Sequence, residues 1–425
     1  MTVTILFASL ALLLILNVPV GIALGFSAMM AIIASSTSLT LISLIQSLVT
    51  SCDSFPILAI PMFILAGDLM SAGGVSSRIL NVCNVFFGRV TGGLAIVTVL
   101  VCMFFAAVSG SGPATVAAVG TMVIPTMLRQ GYSKQFVLAL VATAGSIGVI
   151  IPPSIPMVIF GVATETSVTQ LFMGGFIPGI MIGLTLIAYC YYHCKKRNIG
   201  GNGEKPTKKQ ALHAIYDAKW ALINPIIILG GIYAGIFTPT EAASVAAIYA
   251  FVCGFFFHRE LSIIKFLKAV ATSCSTTATT MVILGCASAF TKIIMVEQIP
   301  ALITNGFLSL TSNGVVLLIL INILLLIVGC FMDTTPAILV LAPILMPIAK
   351  TIGLDPVHFG LIMVVNLAIG FTTPPLGINL FVASRISNSP MEVILKGIVP
   401  FLIIMIINLL IISFIPQVVM FLPNL

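Results

Sequence analysis

Ile151-Pro152-Pro153-Ser154 and Thr372-Thr373-Pro374-Pro375 are two double-proline segments, each in the middle of a long apolar stretch. Two consecutive prolines remove two backbone N–H donors and clash with the preceding helical turn, so a helix that reaches them must break. The carbonyl groups released at the break need new partners, because hydrocarbon offers none. The two segments therefore predict a matched pair of broken helices.

The composition of the chain places these breaks inside a membrane. Of 425 residues, 60% are hydrophobic and only 7% are charged, whereas a soluble domain carries about 25% charged residues. This composition excludes a soluble globular protein, a disordered chain and a secreted disulfide scaffold. We therefore predict an all-α polytopic membrane protein that is surrounded by the lipid bilayer. The net charge of +7 then reports topology and does not indicate a nucleic-acid partner.

The basic residues predict the topology. The polar stretch 195–219 carries seven Lys and Arg residues, and the positive-inside rule makes it a cytoplasmic linker. With two re-entrant helical hairpins over 92–128 and 315–350, sixteen basic residues lie inside and only Lys292 and Lys350 outside. Both termini then lie outside. About ten spanning helices are predicted, near residues 2–17, 18–35, 52–72, 135–165, 171–193, 220–237, 239–257, 271–290, 357–384 and 399–423.

The two halves of the chain, 1–194 and 220–425, are related by an internal repeat. Four residues of the first half recur at a spacing of 222, so that Gly131, Gly148, Pro152 and Pro153 correspond to Gly353, Gly370, Pro374 and Pro375. Each half has five predicted crossings, and an odd number inverts the second copy. Inverted repeats with paired broken helices are typical of secondary transporters, whose substrate site lies at the midplane between the repeats.

The breaks and the hairpin tips predict two kinds of ligand. The carbonyl groups of a broken helix suit Na⁺, while helix N-termini face anions. The alternative at each break is a structural kink whose carbonyls are capped by Ser154, Thr372 or water, and its symmetric recurrence favours the ion site. The tips at 109–113 and 333–336 each place Ser, Gly or Thr before a proline, which starts a helix and directs N–H groups toward a carboxylate. The predicted substrate contacts are Ser111, Gly112, Pro113, Ser154, Thr334, Thr335 and Pro375.

Asp333 is the acidic residue closest to the predicted midplane. A carboxylate inside a membrane is energetically expensive and indicates a function. We expect Asp333 to bind Na⁺ or to order the tip rather than only to cap a helix. The chain lacks the phosphate-binding loop, His-Glu-x-x-His and Gly-x-Ser-x-Gly motifs, so the sequence offers no support for catalysis or for an organic cofactor.

Seven motifs along the chain are specific when they are taken together: Asp53-Ser-Phe-Pro, Val108-Ser-Gly-Ser-Gly-Pro, Ile151-Pro-Pro-Ser-Ile-Pro, Gly174-Gly-Phe-Ile-Pro-Gly, Phe237-Thr-Pro-Thr-Glu-Ala, Gly370-Phe-Thr-Thr-Pro-Pro-Leu-Gly and Phe414-Ile-Pro-Gln. With these motifs the chain resembles, over nearly its whole length, the large membrane subunit of tripartite ATP-independent periplasmic (TRAP) transporters. The resemblance implies a Na⁺-driven importer of organic acids in the bacterial inner membrane, with both termini periplasmic and with elevator-type scaffold and transport domains.

The same resemblance implies ion ligands and partners. One sodium site would use Ser109, Gly148, Ile151 and Pro152, and its repeat counterpart would use Gly329, Asp333, Gly370, Thr373 and Leu376. The partners would be a small four-helix membrane subunit, expected as a separate chain, and a soluble periplasmic substrate-binding protein. Sialic acid is the first expected substrate and a C4-dicarboxylate the second. A stand-alone sodium/carboxylate symporter is the alternative, and an intramembrane enzyme is the remote one.

Overall fold

A computed structural model describes residues 2–16, 18–34, 39–199, 207–310 and 313–425. Within these ranges the protein is a bundle of helices joined by short turns. The helices of the first half are α1 (Thr2–Ile15), α2 (Val20–Ala34), α3 (Leu41–Thr50), α4 (Ala59–Ala72), α5 (Val75–Phe87), α6 (Gly93–Ser109), α7 (Gly112–Arg129), α8 (Lys134–Ser146), α9 (Ile155–Thr164) and α10 (Val168–Lys196).

The second half repeats this order. Its helices are α11 (Lys208–Tyr233), α12 (Pro239–Val252), α13 (Ile263–Val296), α14 (Ile299–Leu310), α15 (Gly314–Phe331), α16 (Thr334–Thr351), α17 (Pro356–Gly370), α18 (Ile378–Ser387), α19 (Met391–Phe414) and α20 (Gln417–Met420). Eight helical segments of the described chain are long and apolar enough to cross a membrane. The predicted all-α polytopic membrane fold is thereby confirmed.

The spacing that relates the double prolines extends to whole helices. Helix α16 begins and ends at the positions that correspond to the two ends of α7, and α17 begins at the position that corresponds to the start of α8. Helix α13 begins at the counterpart of the first residue of α3 and covers the positions that α3 and α4 occupy in the first half. One continuous helix in the second half therefore stands where the first half has two.

The structure also differs from the sequence-based layout. Helices α3, α5 and α14 are absent from that layout, and α13 begins at Ile263 rather than near residue 271. The predicted linker 195–219 is too long, because α11 includes its C-terminal part from Lys208 onward. Thr207 starts α11 with a capping box in which its hydroxyl binds the Gln210 N–H and its own N–H binds the Gln210 side chain. Lys205 and the glycine-rich run 200–203 lie outside the described residues.

Most of the helices described above pack in two groups, and α5, α10, α14, α19 and α20 lie outside both. The scaffold group consists of α1–α4 and α11–α13, in which α4 packs against α12 and α13, and α1 packs against α2. The hairpin group consists of α6–α9 and α15–α18, in which α7 and α8 pack against α18 and α9 packs against α16. The groups meet where α6 contacts α4 and α16 contacts α13. Both hairpin tips thus lie beside the scaffold group.

Candidate functional site

A cavity lies between the two hairpin tips and the scaffold group. Its volume is about 850 Å³. The tips contribute Ser109 to Ser111 on one side and Asp333 to Thr335 on the other, while α4 and α13 complete the wall. Helices α7 and α16 both begin at this cavity. Their N-terminal ends carry partial positive charge, which suits an anion directly at the tips. The rest of the lining includes the acidic residues Asp68, Glu260 and Asp333 and the basic residue Lys265.

A network of hydroxyl groups orders the first tip. Ser111 is the N-cap of α7 and its hydroxyl accepts from the Ala114 N–H at 3.5 Å. The Thr115 hydroxyl donates to the Ser111 carbonyl at 2.7 Å and lies 3.1 Å from the Ser109 hydroxyl. Gly110 occupies the left-handed region with φ +60°, which a residue with a side chain adopts at a cost. Three hydroxyl groups and a backbone carbonyl are thereby gathered at one end of the cavity.

The first broken helix meets this tip at Gly148. The carbonyls of Gly148 and Val149 would bond the N–H groups of residues 152 and 153 in a continuous helix, but both residues are prolines. The Ser154 hydroxyl donates to the Val149 carbonyl at 2.6 Å, and it also caps α9 by accepting from the Met157 N–H. A methyl group at Gly148 would lie 2.6 Å from both the Ser111 carbonyl oxygen and the Thr115 hydroxyl. Gly148 and the first tip, residues 109–113, are therefore in contact.

The second tip is built around Asp333. Asp333 is the N-cap of α16, and its Oδ1 accepts from the Thr334 N–H at 2.7 Å. The side chain therefore orders the tip, and it also lines the cavity. Asp333 therefore caps the helix and orders the tip at the same time, because one carboxylate oxygen accepts the capping hydrogen bond and the carboxylate lies beside the cavity. Its binding of Na⁺ stays a prediction.

The second broken helix meets the first arm of its own hairpin. Gly370 and Gly329 are in direct backbone contact, and a methyl group at Gly370 would lie 2.6 Å from the Gly329 Cα. The Ile369 carbonyl accepts from the hydroxyls of Thr372 and Thr373, each at 2.9 Å. The hydroxyl caps proposed as the alternative reading are thus present at both breaks. They occupy the Val149 and Ile369 carbonyls, while the Gly370 carbonyl accepts from the Thr373 N–H at 3.1 Å and keeps one lone pair for a further ligand.

Four of the predicted substrate contacts line the cavity: Ser111, Pro113, Thr334 and Thr335. The other three do not. Gly112 packs against the Phe371 ring, and Ser154 is fully buried with its hydroxyl used as a cap. Pro375 lies on an exposed part of the second break, beside Leu376, which is 45% exposed. The structure thus places Ser154 and Pro375 at the breaks and Gly112 behind the first tip, and their contact with a substrate stays a prediction.

Sequence reasoning misses several residues of the site. Asp68 of α4 lines the cavity and accepts from the Ser273 hydroxyl of α13 at 2.6 Å. Gly67, the residue before it, packs so closely on the first tip that a methyl group there would lie 3.1 Å from the Ser109 Cα. The sequence suggests only a cytoplasmic interfacial position for Asp68, because a single acid in an apolar run gives no sign of which face it occupies.

Charged residues gather at one end of the cavity. Arg78 of α5 binds Glu260 at 2.6 Å and lies 3.6 Å from Asp217 of α11. His258 lies beside this cluster, after the last turn of α12, and its Nδ1 is 3.0 Å from the Gly73 carbonyl. Burial and the neighbouring Arg78 lower the pKa of His258 below 6.5. The cluster ties α5, α11 and the segment after α12 together on the side that the charge rule assigns to the cytoplasm.

Comparison with known proteins identifies a family. The profile of the DctM component of the tripartite ATP-independent periplasmic transporter matches residues 7–418. The isethionate TRAP transporter permease protein DctMQ of Oleidesulfovibrio alaskensis is 49% identical over 98% of this chain, which spans 66% of that relative. The C4-dicarboxylate TRAP transporter large permease protein DctM of Pseudomonas aeruginosa is 42% identical over 90% of this chain and 89% of its own length.

A solved structure has a similar fold. The crystal structure of the Alcanivorax borkumensis YdaH transporter matches with a TM-score of 0.63 over 95% of this chain and 98% of its own. The sequence identity is 16%, so this likeness concerns the arrangement of helices alone.

Proposed function

This chain belongs to the DctM family of TRAP transporter large permeases, and from that premise we propose that it imports a small organic anion in symport with Na⁺. The proposal makes it a transporter component rather than an enzyme, in keeping with the names of its relatives. The observation that carries the proposal is the cavity bounded by both hairpin tips, each of which adjoins a proline-broken helix. Helix N-termini for an anion and released carbonyls for a cation are thus combined in one site.

We propose one sodium site at each break. In each repeat the first proline removes the helical partner of a glycine carbonyl, that of Gly148 or of Gly370. We propose that Na⁺ is held there with Ser109, Ile151 and Pro152 in the first repeat, and with Gly329, Asp333, Thr373 and Leu376 in the second. The contacts of Gly148 with the first tip and of Gly370 with Gly329 support both assignments.

We propose an elevator movement in which the hairpin group slides against the scaffold group. The close contact between Gly67 and Ser109 supports it, because a residue without a side chain permits two surfaces to pass. The anion would be bound by Ser111, Thr334 and Thr335 at the tips. We propose an inward-facing arrangement in the inner membrane with both termini periplasmic, because the cavity lining includes Gly74, Ser77, Glu260 and Lys265, near the basic residues that the charge rule assigns to the cytoplasm.

The substrate and the partners are part of the proposal. The family implies a small four-helix membrane subunit and a periplasmic substrate-binding protein that delivers the anion. The relatives are named for isethionate and for C4-dicarboxylates, so these anions come first in a screen, followed by sialic acid. All of them present an acidic group that the two helix N-termini can bind.

Reconstitution tests the proposal. The chain and its small subunit are placed in proteoliposomes with an inward Na⁺ gradient, and uptake of each anion is measured with and without the binding protein. We expect uptake of one anion only when its binding protein is present. Uptake that persists without any binding protein would favour the stand-alone symporter, and uptake that ignores the Na⁺ gradient would refute sodium coupling.

A further inference from the structure

A buried polar cluster joins three helices below the second broken helix. The Asn366 amide of α17 donates to the Asn322 Oδ1 of α15 at 2.7 Å, and the Ser413 hydroxyl of α19 donates to the same oxygen at 3.3 Å. The three residues, which we call the amide seam, are 0%, 4% and 2% exposed for Asn366, Asn322 and Ser413. Buried amides in an apolar bundle are costly unless paired, so a cluster like this needs a reason.

The amide seam lies on the same faces as the glycine contact of the second break. Asn366 precedes Gly370 by one helical turn, and Asn322 precedes Gly329 by two, which are spacings that return to one face of a helix. The hydrogen bond from Asn366 to Asn322 and the backbone contact between Gly329 and Gly370 are therefore successive contacts between α15 and α17. The glycines allow the close approach, and the amides fix its spacing.

Among the described residues the first repeat has no such seam. Leu100 and Ala144 occupy the repeat positions that correspond to Asn322 and Asn366. The first break is instead held by the Ser154 hydroxyl on the Val149 carbonyl, and position 376, which corresponds to Ser154, is a leucine. At the second break the hydroxyls of Thr372 and Thr373 donate to the Ile369 carbonyl, but position 376 supplies no hydroxyl cap and residues 374–376 are exposed. The Leu376 N–H donates instead to the Cys330 carbonyl of α15 at 3.2 Å. The second break therefore depends more on contacts with the neighbouring helix α15.

We propose that Asn322 and Asn366 are positioning residues for the second sodium site. They hold α15 against α17, so that the carbonyl of Gly370 and the backbone of Gly329 stay at a distance that one cation can bridge. Neither amide touches the ion. This inference rests on the sodium-coupled transport proposed above. The first sodium site is then supported by the Ser154 hydroxyl within its own break, and the second by the amide seam between α15 and α17.

The test uses the permease with its small subunit and Na⁺ itself as the probe, with choline replacing Na⁺ in control buffers. Two variants are made, Asn366→Ala and the double variant Asn322→Leu/Asn366→Ala, which installs the residue pair of the first repeat. The matched control is Asn408→Leu on α19, since Asn408 is 1% exposed and donates to the Thr185 hydroxyl at 2.9 Å, away from the break. The Na⁺ concentration for half-maximal thermal stabilisation and for half-maximal uptake is measured for each protein.

We expect both seam variants to raise the half-maximal Na⁺ concentration about threefold to twentyfold, the range that one interhelical hydrogen bond in a membrane is worth. Uptake at saturating Na⁺ should stay within about twofold of the wild type if the ion affinity alone has changed. A merely structural role would lower the melting temperature in choline and leave the Na⁺ midpoint unchanged.

Three outcomes overturn the inference. The first is a folded double variant with the wild-type Na⁺ midpoint, and the second is an equal increase in Asn408→Leu. The third is a wild-type protein that does not respond to Na⁺, which refutes the proposed sodium coupling together with the inference and is recognised without any variant.

Discussion

Gly148→Ala tests the first sodium site at its most crowded point. The added methyl group would lie 2.6 Å from the Ser111 carbonyl oxygen and 2.6 Å from the Thr115 hydroxyl. Ordinary van der Waals contact begins near 3.4 Å, so the tip must withdraw by about 0.8 Å. The Ser111 carbonyl belongs to the backbone of a capped helix start, and Thr115 is bonded to it, so neither atom can move alone.

The size of the effect follows from this crowding. Inserting a methyl group into a packed site costs about 1–3 kcal/mol. If this cost falls on the arrangement that binds Na⁺, the Na⁺ affinity decreases about fivefold to 150-fold, since each 1.4 kcal/mol is worth about a factor of ten. Because the lost affinity is for Na⁺, transport at low Na⁺ should fall more than transport at high Na⁺. The same displacement also moves Ser111 at the substrate side.

The assay is anion uptake by proteoliposomes over a series of Na⁺ concentrations, with thermal unfolding as a measure of folding. Gly230→Ala in α11 is the matched control, because a methyl group there meets nothing within 4 Å among the described residues. We expect Gly230→Ala to behave like the wild type. A Gly148→Ala protein that is folded and has the wild-type Na⁺ dependence would refute the placement of Na⁺ beside this tip.

Three further substitutions test other parts of the site. Gly67→Leu should reduce uptake about tenfold or more in a folded protein, because even its Cβ would lie 3.1 Å from the Ser109 Cα, and wild-type uptake would contradict a sliding contact here. Ser154→Ala should lower stability by about 1–3 kcal/mol in thermal or denaturant unfolding, since it leaves the buried Val149 carbonyl without its hydroxyl, while the KM for the anion stays unchanged. A raised KM with unchanged stability would return Ser154 to the substrate site. His258 has a lowered pKa, so its contribution to stability is present above pH 6.5 and is lost as the pH falls below 6.5 through its folded pKa. The melting temperature should therefore decrease less between pH 7 and 5 in His258→Asn, and an unchanged pH slope would contradict this.

The sequence predicts those parts of the fold that proline and glycine control. The double prolines predict both breaks, and Ser111 and Asp333 stand as N-caps where the tip motifs predict helix starts. The apolar runs predict most long helices, because a helix that spans the membrane needs about 20 consecutive apolar residues, and such runs are easily recognised in the sequence. The resemblance to TRAP large permeases is confirmed by the family match.

Short amphipathic helices are not predicted by the search for long apolar runs. Helix α5 carries Arg78 and two asparagines among its apolar residues, so a search for long apolar runs passes over it. The start of α11 is charged and reads as part of the linker, although Thr207 and Gln210 form a capping box there. Both helices place charged residues beside Glu260 at one end of the cavity, which only the folded arrangement reveals.

The sequence also does not predict the direction in which the side chains at the site point. Ser154 and Pro375 are next to the breaks in the chain, yet one points into a cap and the other lies on an exposed surface. Asp68 and Ser273 are far apart in the chain and meet through the packing of α4 on α13. A motif places a residue on an element, but the packing of the elements decides which cavity the residue lines.

Sodium coupling is the central claim, and uptake under an imposed Na⁺ gradient tests it most directly. The chain, its small subunit and the loaded binding protein are reconstituted in vesicles with equal K⁺ on both sides, and Na⁺ is added either outside only or equally on both sides. We expect accumulation of the anion against its own gradient only when Na⁺ is higher outside. Equal accumulation without the Na⁺ gradient would contradict it.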